Sequence, residues 1–257
     1  MTKTLKKVLS FVLAMVMVLS LIPAVYATET TQPSVGGDVG TRGPAPSKTY
    51  DADEWIEVNS AEDLLALTAS GTAMDARSIN AEANKGKTIG LKLMGDIAIE
   101  TTSTTPYAGR YAAMYIGHYN SDATKAFPVD VVLDLNGYTL TDTSVNSRMI
   151  GIYSGSEFVV TNGTILGNGD YISTGGVFFS SGDNDIILDG ISVTAKAYTK
   201  EAHGNILNTS GTGAVSIINS YLEVTEGDAM SCRGGMIAIQ HAVPVTLKNS
   251  TFVGGHA

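Results

Sequence analysis

The chain has 257 residues, 16 of them basic and 25 acidic, for a formal net charge of -9. That balance argues against nucleic acid and anionic membrane surfaces as partners, because both are held by basic patches that neutralise phosphates. Cys232 is the only cysteine, so no intramolecular disulfide can form and the fold has to be held by packing.

In chain order, Lys3, Lys6 and Lys7 precede an apolar run over 8–22, and Val25 and Ala27 are small residues suited to a cleavage site. Residues 1–27 therefore read as a secretory signal peptide. The apolar run is shorter than the ~20 residues a helix needs to span a bilayer. Cleavage removes three lysines and no acid, leaving 13 basic residues against 25 acidic and a net charge of -12. The expected address is extracellular, with no membrane insertion after cleavage. Any attachment to the cell surface would run through a region outside this chain.

Residues 28–50 are rich in Thr, Gly and Pro and lack an apolar period, which predicts a flexible linker. Residues 51–100 predict an N-terminal cap. Ser60 opens S-A-E-D-L-L-A-L, where Ser60 can cap a short helix, Asp63 answers it, and Leu64, Leu65 and Leu67 form the apolar side. Strand alternation follows over 88–93 and 97–99. A solenoid needs such a cap to shield its first apolar layer.

Residues 101–257 carry a repeat. Five segments, 131–140, 158–166, 186–193, 215–224 and 245–253, run from an apolar stretch through Asn or Asp and Gly or Ser into a second apolar stretch. Their turn residues are Asn136, Asn162, Asp189, Asn219 and Asn249, spaced 26, 27, 30 and 30 apart. A third apolar series lies at 113–116, 149–153, 176–179, 205–207 and 236–239. Three strands per repeat exclude a leucine-rich repeat, which holds one strand and a helix, and predict an all-β parallel β-helix of about five coils. The turn residues then form a corner that needs positive φ, and their amides can stack into a ladder along the solenoid.

With its helix S-A-E-D-L-L-A-L, its segment L-K-L-M-G-D-I and its corner L-D-L-N-G-Y-T-L, the chain resembles secreted parallel β-helix proteins of Gram-positive bacteria in the broad pectate-lyase-like group. The resemblance spans about 55–256 and implies a right-handed solenoid. That group includes lyases, glycoside hydrolases and non-catalytic surface proteins. Polygalacturonase-like members carry N-T-D, paired Asp, G-H-G and R-I-K signatures. Here Asn208-Thr209-Ser210 lacks the acid, Gly117-His118-Tyr119 and His203-Gly204 are fragments, and R-I-K does not occur.

Chemistry is expected on the long connections 142–148, 167–174, 196–203 and 225–234, which a solenoid gathers on one side. His203 lies 14 residues after Asp189 and Arg233 lies 14 after Asn219, so even stacking brings the two together with Glu201 and Asp228 nearby. A carboxylate beside His or Arg suits proton abstraction from a uronic acid, and paired carboxylates suit glycosidic cleavage. Glu201, His203, Asp228 and Arg233 are therefore the catalytic candidates, and Asp170, Tyr171 and Tyr198 the candidates for glycan contact. Asp183 and Asp185 alternate in a turn as oxygen ligands for calcium would, but no EF-hand glycine or glutamate follows. No cofactor is expected, calcium at that turn being the one option.

The function expected is a secreted or cell-surface module that binds a polysaccharide, surface glycan or protein without catalysis, as in adhesion. A polysaccharide lyase or glycoside hydrolase working from the long-loop side is the alternative, and a structural stalk is the second. The last repeat stops at 254–257 without a capping segment, so further coils are expected downstream.

Overall fold

The computed structural model describes residues 44–70, 74, 76–100, 112–119, 125–143, 148–167, 176–196, 202–225, 232–233 and 235–254. Residues 1–27, the expected signal peptide, lie outside that set.

Strands of the first face are β1 (Glu54–Val58), β2 (Thr88–Leu93), β5 (Asp130–Asp134), β8 (Glu157–Gly167), β10 (Asp185–Lys196), β13 (Val215–Ile218) and β17 (Val245–Lys248), each parallel to the next. Beyond the corner lie β3 (Ile97–Ile99), β6 (Thr139–Asp142), the second halves of β8 and β10, β14 (Tyr221–Thr225) and β18 (Thr251–Gly254). The third face stacks β4 (Ala112–Ile116), β7 (Arg148–Tyr153), β9 (Phe178–Ser181), β12 (Leu207–Thr209) and β16 (Ile237–Ile239). Two short strands, β11 (Ala202–His203) and β15 (Cys232–Arg233), pair by themselves.

This is a parallel β-solenoid, as the three-strand repeat predicts. Among the described residues the first face counts seven strands and the third five, rather than a uniform five coils. Two third-face strands, β9 and β12, begin two residues later than expected. Their entry is a close crossing of backbones, in which a Cβ at Gly176 would lie 2.4 Å from the carbonyl oxygens of Gly204 and Asn205.

The core follows from alternation. Inward positions of successive coils, such as Leu91, Leu133, Val160, Leu188 and Ile217, sit in register and are fully buried in one continuous apolar cluster. Parallel strands buried in this way read as apolar runs with their turns between them. Helix α1 (Ala61–Leu67) starts on Ser60, whose side chain accepts from the Asp63 amide at 3.1 Å, and it buries Leu64 and Leu67 against the first layers. Among the described residues no helix is long and apolar enough to cross a membrane.

Polar groups inside the stack are satisfied between coils. The buried Asn184 accepts from the Gly155 and Ser156 amides and donates to Ile152 O, Ser181 O and Ser180 Oγ, tying two turns together. A buried amide that is used in full holds its turn in one arrangement.

Candidate functional site

The corner places left-handed backbone at Asn136 (φ 53°), Asn162 (φ 60°), Asn219 (φ 46°) and Asn249 (φ 51°). Asp189 does not belong to this column. Its register partners are Thr161 and Ile218, so the residue opposite Asn162 and Asn219 is Gly190, with φ 68°. The physical reason is that glycine takes the left-handed region without a Cβ penalty, so in the D-G pair the bend moves one residue on. The amide ladder is correspondingly short. Asn249 Nδ2 donates to Asn219 Oδ1 at 3.3 Å, whereas Asn162 Nδ2 turns to Asp134 Oδ1 at 3.0 Å and Asn136 Nδ2 to Leu93 O at 3.0 Å.

Asp189 is fully buried and serves as an anchor. It accepts from the Ser47 amide at 2.8 and 3.0 Å, from Ser47 Oγ at 2.5 Å and from the Tyr50 hydroxyl at 2.8 Å. Burial first, and then the hydrogen bond to Asp189 and its charge, push the Tyr50 phenol well above the ordinary tyrosine value. Tyr50 therefore stays a donor. Residues 44–50, the end of the segment read as linker, are a strap held on the outside of the first sheet. Pro46 comes so close to Gly190 that a Cβ there would lie 2.3 Å from its nitrogen.

Under the strap lies a cavity of about 200 Å³ lined by Lys48, Tyr50, Trp55, Asp134, Thr161 and Asn162, among others. Trp55 rests over Gly90, where a Cβ would stand 2.3 Å from the indole Cε3, and it remains 43% exposed. The Lys48 ammonium sits 4.7 Å from the centre of the Tyr50 ring. Thr161 Oγ1 is shielded from solvent and has no hydrogen-bond partner among the described residues. Sequence reasoning missed this site because its walls come from a segment read as linker, a cap strand and two coils.

On the long-loop side, β11 and β15 bring His203 and Arg233 into direct register, although they lie 13 and 14 residues after the corner residues Gly190 and Asn219. Glu201, Asp228, Asp170, Tyr171 and Tyr198 lie outside the described residues. Asp142 and Arg148, at the ends of the first long connection, are buried, and the Arg148 guanidinium lies 3.8 Å over the Phe179 ring. Tyr115, Tyr153 and Phe179 pack there as a buried aromatic cluster, with Tyr119 against it.

The aspartates of the repeats work as acceptors for the next coil. Asp53 Oδ2 takes the Thr88 amide at 2.9 Å, Asp130 Oδ1 the Glu157 amide at 2.7 Å and Asp185 Oδ1 the Ala214 amide at 2.7 Å. Asp183 accepts from the Thr212 hydroxyl. Asp183 and Asp185 thus fasten the following turn, and among the described residues no three His, Cys, Asp or Glu side chains gather to hold a metal. Glu157 stands in register with Asp185 on one side and level with Asp130 on the other. Its carboxyl is raised above the ordinary value by burial first, then by the charges of Asp130 and Asp185, with Lys48 opposing.

Comparison with family models, with curated proteins and with solved structures finds no match to this chain.

Proposed function

We propose that this chain is a secreted or cell-surface β-solenoid module, akin to the pectate-lyase-like proteins of Gram-positive bacteria, that binds a glycan without catalysing its cleavage. The observation that carries this reading is the use of its described aspartates. Asp53, Asp130, Asp183 and Asp185 each accept from the neighbouring coil, Asp134 from Asn136 and Asn162, and Asp189 from the strap. A general acid or base spends its carboxylate on the proton of a substrate, whereas in each of these aspartates at least one oxygen is held by a donor of the fold, which favours a structural role. What remains on the outer face is an aromatic and polar cavity, the chemistry that sugar recognition uses.

The test combines a glycan array with a reducing-end assay and ultraviolet detection of unsaturated uronides. Retention on at least one plant or host polysaccharide with no turnover is the expected result. A lyase or hydrolase is the second reading, favoured by the pairing of His203 with Arg233. Turnover abolished in His203→Ala and Arg233→Ala would replace the first reading with the second.

A further inference from the structure

We infer that the cavity under the strap is a subsite for one neutral pyranose unit of a glycan, an inference that rests on the glycan-binding reading above. Three independent features meet there. The first is size: about 200 Å³ is below the ~300–1,000 Å³ of sites for drug-sized ligands and suits a single sugar ring. The second is the wall. Trp55 is held over Gly90 with nearly half its surface exposed, offering the apolar face on which the C–H side of a pyranose stacks. The third is polarity. Thr161 lines the cavity, and its hydroxyl is buried with no hydrogen-bond partner among the described residues, so a small shift toward a ligand hydroxyl would satisfy it.

The remaining groups narrow the ligand class. Both described donors to Asp134, the Asn136 amide and Asn162 Nδ2, go to Oδ1, leaving Oδ2 as an acceptor for a sugar hydroxyl. A uronate would set its own charge against Asp134, and Lys48, the cation among the lining residues, is already placed over the Tyr50 ring. A quaternary ammonium would need an empty aromatic cage, but the Tyr50 ring already carries the Lys48 ammonium. A neutral sugar meets neither obstacle.

Trp55 is the only tryptophan in the chain, so its emission reads this site alone. The intact secreted chain would be titrated with cellopentaose, xylopentaose, mannopentaose and laminaripentaose, and separately with oligogalacturonate and choline. A saturable change in Trp55 emission with a neutral oligosaccharide, and none with oligogalacturonate or choline, is expected. Thr161→Val should weaken that binding about tenfold. Its thermal midpoint should stay unchanged or rise, because the variant removes an unpaired buried hydroxyl, and a purely structural threonine would not separate the two readouts. Gly90→Val should displace the indole and abolish the response, with calorimetry on Trp55→Ala as the fluorescence-free check.

If array binding persists while Trp55 emission and Thr161→Val affinity are unaffected, the cavity is not the subsite and the glycan-binding module stands. If no saccharide binds by array or titration, both fall. If choline or oligogalacturonate is the ligand that moves Trp55, the neutral-sugar assignment is overturned.

Discussion

Glu157 shows how one residue inherits its properties from the stack. Its own sequence context is a strand start, yet the register sets it between Asp130 and Asp185. Burial and these two charges raise its carboxyl pKa, so the folded state favours the protonated form more than the unfolded state does. The stability linked to that proton is fully present below the unfolded-state pKa and is lost as pH rises through the higher folded-state value. Glu157→Gln should therefore melt above the native chain at pH ~7, with the difference vanishing by pH ~4. Calorimetric midpoints across that range test it, and a constant difference at every pH would reject the linkage. The corner was legible at the same scale because Asn and Gly are the residues that tolerate positive φ. Asp189 was misread as one of them because residue type alone does not count positions from the strand start.

At the level of elements, the strap changes what the first sheet presents. The Ser47 amide, Ser47 Oγ and Tyr50 hydroxyl converge on a single buried carboxylate. Hydrogen bonds to a buried charge contribute roughly 1.5–3 kcal/mol each when intact. Asp189→Asn puts an amide NH₂ against donors, so it should release residues 44–50 and lower the unfolding free energy by about 2–4 kcal/mol. Hydrogen exchange at the Ser47 amide is the direct readout, and protection equal to the native chain would refute the anchor. No pattern in 28–50 could announce this element, since its order comes from one carboxylate roughly 140 residues further along the chain. The helix α1, by contrast, was readable in its Ser60 cap and in the burial of Leu64 and Leu67, because both are local.

Across the described residues, stability is carried by nearest neighbours, and the main core cluster runs from the cap through successive coils. Position in the stack therefore decides how far a lesion spreads. Phe158, fully buried in β8 between two neighbouring strands, should cost about 3–5 kcal/mol on Phe158→Ala and lower the global transition. Leu166 on the same strand is 39% exposed, and Leu166→Ala should leave that transition within ~0.5 kcal/mol of the native chain. Equal loss of global stability in both variants would show that burial in the stack does not set the cost.

Periodicity and side chains close to one another in the chain were enough to foretell the solenoid, its three-strand repeat and its capped helix. The folded coils alone reveal which aspartates are spent on the neighbouring coil, that the corner passes from Asp189 to Gly190, and that a strap and a cap strand line a cavity with Thr161 in its wall. Those features arise where residues distant in sequence meet, and their energies belong to the contact rather than to either residue alone.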